Sequence, residues 1–219
     1  MLTRKIHIFT GHFGSGKTEV ALNYAILNKQ RGEKVTIVDL DTVNPYFRTK
    51  DAENYLKEQG IKVIASSFAS SNIDMPVVPD TVMSVFENDG IIIFDIGGDE
   101  DGAFALGQYH DLIEQYGYEM HLIVNFRRPL TEKAEDVSEL MENIEKSCRL
   151  KITDIWNNTN IGRLTDGHTI EDSMSEAERL SGAAHLPIQY VCGTSEALKS
   201  ISDKYRKLNI DIKIKPVFE

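Results

Sequence analysis

The sequence predicts an α/β fold, a doubly wound, mostly parallel sheet flanked by helices, in a single domain over residues 1–219. Three observations carry this expectation. Short apolar runs rich in Ile and Val alternate with segments whose apolar residues recur at helical spacing. No repeat, low-complexity tract or long linker breaks the alternation. The first junction between an apolar run and a helical segment is a glycine-rich stretch ending Gly16-Lys17-Thr18.

The strand candidates, in chain order, are 6–10, 35–40, 62–65, 91–95, 121–125, 153–157 and 188–192. Most read as near-continuous apolar runs, as strands do when both faces of a parallel sheet are covered. Helices are expected between them. The segment 18–29 sets Val20, Ala21, Tyr24 and Leu27 on one face, and 131–148 does so with Val137, Leu140, Met141 and Ile144. A third helix over 79–87 opens on Pro79, a residue tolerated in a first turn. Residues 211–217 alternate Ile and Lys and read as an edge strand with one wet face. The stretch 66–79 is the most irregular, either a surface loop that covers something or a long connection. This rhythm implies right-handed crossovers, with ligands bound beyond the carboxyl ends of the strands.

Composition narrows the function. A chain of 219 residues with 41% hydrophobic and 26% charged content is an ordinary globular protein. Its net charge of −10 argues against a general nucleic-acid binder, which carries a basic face. No apolar stretch approaches the roughly 20 residues that span a bilayer. Arg4 and Lys5 lead into the first strand instead of a signal segment. The two cysteines, Cys148 and Cys192, form no CxxC pair, so buried thiols are expected in place of a disulfide framework. Together these point to the cytoplasm.

Gly11-His12-Phe13-Gly14-Ser15-Gly16-Lys17-Thr18 matches the phosphate-loop pattern GxxxxGK[ST] in full, between a strand and a helix as that pattern requires. Its glycines let backbone N–H groups approach phosphate oxygens, and the helix start adds more donors and the positive end of its dipole. Lys17 is expected to stand exposed in the loop and reach the β- and γ-phosphates, with the Thr18 hydroxyl on Mg²⁺. A nucleoside triphosphate is the expected ligand.

The other parts of such a site follow in order. Asp39 and Asp41 close the second strand and point the same way by alternation, so both can address Mg²⁺ or an attacking water, although one of them could instead cap the next turn. Ile91-Ile92-Ile93-Phe94-Asp95 matches a Walker-B strand, with Asp95 on the metal's hydration shell. Gly97 and Gly98 then offer a turn whose N–H groups can meet the γ-phosphate. A guanine-specific NKxD sequence is absent. Asn125-Phe126-Arg127-Arg128 stands in a similar place without the aspartate. The amide of Asn157 or Asn158 could read adenine instead, or serve turn chemistry. ATP is therefore favoured over GTP.

These residues resemble the MinD/ParA/CobQ/CobB class of P-loop ATPases, which includes the nitrogenase iron protein. The match covers nearly the whole chain: the loop at 11–18, the DxD at 39–41, Asp95-Ile96-Gly97-Gly98 and the asparagine-bearing late strands. The longer strings VDLDTVNPYFR and FDIGGDEDGAFALGQ look like a small branch of it. The resemblance implies a parallel sheet, Mg-ATP and commonly a nucleotide-dependent homodimer. By position, Asp41 matches the switch-I aspartate that orients water, Gly97 and Gly98 match switch II, and Asn157 or Asn158 the adenine contact. His12 stands where members carry a signature lysine, and a neutral imidazole is no permanent cation; Arg48 is a substitute candidate. The leading expectation is an ATPase switch acting on a partner protein. The others are a phosphotransferase or ATP-dependent ligase, with 66–79 and Asp99-Glu100-Asp101 shaping a small-molecule pocket, and a catalytically silent nucleotide-binding scaffold.

Overall fold

The computed structural model describes residues 6–40, 53–65, 80–87, 89–98 and 100–212. Strands β1 (Ile6–Thr10), β2 (Val35–Asp39), β3 (Lys62–Ala65), β4 (Ile91–Asp95), β5 (Tyr118–Val124), β6 (Asp154–Asn157), β7 (Ile188–Gly193) and β8 (Lys207–Asn209) form one sheet. Its order is β3-β2-β4-β1-β5-β6-β7-β8, and every pairing is parallel. The chain builds outward from β1 on one side and returns to build on the other. The crevice beyond the carboxyl end of β1 is thus the switch point where doubly wound sheets bind ligands.

Alternation along the strands divides the interior into two layers. Ile6, Ile8, Val38, Ile92, Phe94, Leu122 and Ile155 face one side, where α3 (Asp80–Met83), α4 (Glu100–Gly107), α5 (His110–Tyr116), α6 (Ala134–Cys148) and α7 (Gly167–Ala184) supply Val82, Ala103, Leu106, Ile113, Val137, Ile144 and Leu180. Phe9, Ile37, Ile93, Ile123 and Trp156 face the other, beneath α1 (Lys17–Gln30) and α2 (Glu53–Glu58), which contribute Val20, Ala21, Ala25 and Leu56. Each such side chain fully withdrawn from water stabilises the fold by roughly 1.5–3 kcal/mol, so the period-two pattern dominates local preference.

Where the structure departs from the sequence expectation, tertiary contacts give the reason. β5 begins at Tyr118, three residues before the apolar run, because Ile6 and His7 pair with Tyr118 and Glu119. The helix expected over 79–87 is one turn of α-helix, Asp80–Met83, continued as a 3₁₀ turn, Ser84–Glu87, and Pro79 lies outside the described residues. The closing strand is Lys207–Asn209, added to β7, and residues 213–217 of the expected edge strand also lie outside. Helices α4, α5 and α7 add to the helical segments singled out from the sequence. In α7, Asp166 caps the start by accepting from the Thr169 N–H at 2.8 Å, and Ile170, Ala177 and Leu180 are buried. The α6 N-terminus has no local side-chain cap; Glu176 of α7 accepts from the Ala134 N–H at 2.9 Å. Both cysteines are buried free thiols, and burial pushes the titration of each upward. Among the described residues, no helix is long and apolar enough to cross a membrane.

Candidate functional site

β1 ends at Thr10, and the chain turns at once through Gly11 (φ 148°). An added Cβ at Gly11 would lie 2.2 Å from the Ile123 carbonyl oxygen and 3.0 Å from Ser15 Oγ, so only glycine lets the loop lie this close to β5. Gly14 (φ 76°) and Gly16 (φ 83°) take the left-handed conformation, and the Ser15 N–H closes the turn on the His12 carbonyl at 3.0 Å. Gly16 is the N-cap of α1 and has no side chain to cap it. The first-turn N–H groups of α1 can therefore serve an anion.

Lys17 and Thr18 are both buried, at 7% and 5% exposure. This corrects the expectation of an exposed lysine. The first turn of α1 docks directly on the strand ends, with Val20 and Ala21 buried immediately after it, and carries both residues inward. Asp39 and Asp95 are the last residues of β2 and β4, and they are register partners. Both are buried, at 3% and 0%, and alternation turns them to the α1 face with Ile37 and Ile93. Asp95 is also level with Phe9 of β1. Two carboxylates thus end their strands on the side where Lys17 and Thr18 begin α1.

The donor set suits a magnesium–phosphate group. Ser15 Oγ and Thr10 Oγ1 are buried hydroxyls with no hydrogen-bond partner among the described residues, and both belong to the end of β1 and a loop held open by positive-φ glycines. Such groups carry a desolvation cost unless a ligand meets them. Hard carboxylate and hydroxyl oxygens are the ligands magnesium takes.

The turn after β4 is pressed against this loop. A Cβ at Gly98 would lie 2.1 Å from the Gly11 carbonyl oxygen, and one at Gly102 in α4 would lie 2.5 Å from Gly97 Cα. Loop, Gly97-Gly98 turn and α4 are therefore in backbone contact. Asp41 and Arg48 lie outside the described residues, as do Asp99 and the 66–79 stretch.

The two candidate asparagines part company. Asn158 donates from Nδ2 to the Ser15 carbonyl at 2.8 Å and would lie 2.5 Å from a Cβ at Gly16, so it buttresses the loop. Asn157 is fully buried on the opposite face. Its Nδ2 donates to Ser173 Oγ at 2.9 Å, and its Oδ1 accepts from the Thr159 N–H and hydroxyl. Nor does His12 reach outward: its Nδ1 lies 2.9 Å from the Phe13 carbonyl of the same loop. Sequence reasoning did not assign Arg128, whose Nε donates to the Gly14 carbonyl at 3.0 Å, or Asn160, which donates to the Asn158 carbonyl at 2.7 Å. The signals were the Asn125–Arg128 string and the repeated asparagines after β6, but neither string shows which side chain turns to the loop.

No protein-family model matches the chain, and neither does any curated protein sequence. Solved structures do. The cell division protein FtsY of Thermotoga maritima superposes with a TM-score of 0.60 at 15% identity, over 89% of this chain and 63% of that one. The fold is that of a P-loop NTPase. FtsY of Mycoplasma mycoides gives 0.61 at 15% identity, over 89% and 61% of the two chains. The signal recognition particle receptor FtsY of Elizabethkingia anophelis, in a complex with GDP, gives 0.56 at 16%, over 98% and 62%. The chain thus spans about three-fifths of the length of these neighbours.

Proposed function

We propose that this protein binds Mg-ATP at residues 11–18 and works as a nucleotide-dependent switch read by a partner protein. The observation that carries the switch is the contact of Gly98 with the Gly11 carbonyl, because it couples the phosphate loop directly to the turn leading into α4. Contacts that a triphosphate makes and a diphosphate cannot are the only source of free energy for such a change. Lys17 and Arg128 supply positive charge to the phosphates. Thr18, Asp39 and Asp95 would hold Mg²⁺, which supplies charge neutralisation at the transferred phosphoryl group. Asp41 is the carboxylate proposed to orient water for hydrolysis. Phe13 and Phe104, 58% and 60% exposed, give the loop and α4 apolar surface for a partner or a second copy of the chain.

The finer assignment to the MinD/ParA/CobQ/CobB class rests on the strings VDLDTVNPYFR and FDIGGDEDGAFALGQ. ATP is preferred because the chain has no NKxD sequence. A guanine nucleotide is the second reading, favoured by the GDP complex of the Elizabethkingia anophelis neighbour. Calorimetry with Mg-ATP and Mg-GTP, paired with hydrogen exchange in ATP-analogue, ADP and nucleotide-free states, tests both points. The expected result is tighter binding of ATP by at least roughly tenfold and protection of 95–103 that depends on the γ-phosphate. Tighter GTP binding would reverse the base assignment. Identical protection in all three states would leave a nucleotide-binding scaffold in place of a switch.

A further inference from the structure

The opposite end of β1 carries a second polar cluster, which the nucleotide site does not use. His7 of β1 is the register partner of Glu119 of β5, and His121 follows two residues along β5, level with Phe9. Alternation puts all three on the α1 face of the sheet. His7 Nδ1 lies 3.1 Å from His121 Nε2 and 3.6 Å from Glu119 Oε2. The three ligand atoms all lie within 4.8 Å of one another. Donors about 2.0–2.1 Å from a tetrahedral zinc ion stand about 3.3 Å apart, so His7 is already near ligand spacing from both partners, and a rotation of the part-exposed Glu119 side chain would bring its carboxylate in towards His121.

The surroundings already orient the ligands. Asp154 of β6 accepts from Trp156 Nε1 at 2.7 Å and from Thr153 Oγ1 at 2.9 Å, and it lies 2.8 Å from His121 Nδ1. A carboxylate held by those donors fixes the proton of His121 on Nδ1. The Nε2 lone pair then faces His7 Nδ1, 3.1 Å away. This is the carboxylate–histidine support that metal-ligating imidazoles commonly have. His7 and His121 are 5% and 1% exposed. Tyr24, Phe9 and Trp156 wall them in, with ring centroids 5.1 Å from His7 for Tyr24, and 4.9 and 4.7 Å from His121 for Phe9 and Trp156. The Glu119 side chain is 33% exposed and opens the cluster to solvent.

Charge and ligand type select the ion. Two neutral imidazoles with the carboxylates of Glu119 and Asp154 balance one divalent cation. Imidazole nitrogens favour zinc, cobalt or nickel over magnesium or calcium. We propose that His7 Nδ1, His121 Nε2 and the Glu119 carboxylate bind one divalent transition-metal ion of the zinc class, with Asp154 positioning His121 and the fourth position open to water beside Glu119. The competing arrangement is a proton shared between the two imidazoles.

Cobalt titration of the full chain, free of any histidine tag and with Mg-ATP present, decides between them. One equivalent of Co²⁺ is expected to bind with the visible absorption of tetrahedral cobalt, to be displaced by Zn²⁺ and to raise Tm. His7→Gln and Glu119→Gln should each weaken that binding by at least roughly tenfold and leave Mg-ATP affinity unchanged. Should His7→Gln fail to fold, Glu119→Gln, at a part-exposed position, carries the test alone. Absence of a bound equivalent in the folded protein would overturn the proposal. So would undiminished binding in Glu119→Gln, because the metal would then sit on other histidines. Neither result bears on the nucleotide site.

Discussion

Asn158 donates its side-chain N–H to the carbonyl of Ser15 at 2.8 Å, which ties the end of β6 to the middle of the phosphate loop. The bond is buried and joins residues far apart in the chain. It therefore holds the loop in shape before any ligand arrives. Asn158→Ala leaves the Ser15 carbonyl without that donor, a loss of roughly 1–3 kcal/mol. ATP affinity should fall by about tenfold, with the far-ultraviolet spectrum unchanged; calorimetry showing native affinity would mean the loop needs no buttress.

Lys17 is buried, so its replacement tests charge cleanly only if its stem is kept. Lys17→Met retains the packing and removes the ammonium. Charge-assisted bonds to phosphate contribute roughly 1.5–3 kcal/mol each, so ATP affinity should drop on the order of a hundredfold while Tm moves by a few degrees at most. Binding that survives this change would remove the loop from the site.

Gly98→Ala drives a methyl group to 2.1 Å from the Gly11 carbonyl oxygen, a contact no rotamer relieves. The turn after β4 must shift, and the γ-phosphate-dependent protection of 95–103 should disappear. Gly182→Ala in α7 is the control. Nothing lies within 4 Å of that Cβ, and the helix should gain roughly 0.5–1 kcal/mol. Urea unfolding of both variants separates the steric effect from the helical one.

Arg128 Nε donates to the Gly14 carbonyl, which brings a guanidinium to the phosphate loop from the turn after β5. Arg128→Ala should weaken ATP binding by roughly fivefold, about 1 kcal/mol, and ADP binding by less. Equal losses for the two nucleotides in titrations at matched Mg²⁺ would assign Arg128 to loop support alone.

Burial pushes the Tyr24 phenol up to about 12, and the nearby Tyr190 phenol adds to the rise. Below pH 10 the folded and unfolded chains are both protonated there, so Tyr24 adds no slope. Between about pH 10 and 12 the unfolded chain loses the proton first, and stability should fall as pH rises. At its full extent the loss is roughly 2–3 kcal/mol. Urea midpoints of the wild type and Tyr24→Phe should separate across that window, the variant falling less; parallel curves would contradict it.

Local chemistry in the sequence determined a good deal of this protein. The loop from Gly11 to Thr18, the apolar strand ending at Asp95 and the Ile- and Val-rich runs are each complete within a few residues, and glycine conformation and strand alternation translate them directly into backbone. The buried Lys17, by contrast, depends on where the first turn of α1 docks. The 18-residue helix α7 buries Ile170, Ser173, Ala177 and Leu180 along one face and starts on the Asp166 cap, so local spacing and packing agree there.

Only the tertiary structure decided which asparagine meets the loop. Asn157 and Asn158 are chain neighbours, and the period of two sends one to α7 and the other to Ser15. Only the sheet order, with β1 between β4 and β5, brings Gly98 onto Gly11 and gathers His7, His121 and Asp154 from three strands. Strand pairing joins residues more than a hundred positions apart. No local pattern encodes such a pairing, because the free energy that selects it comes from burying both faces of the sheet at once.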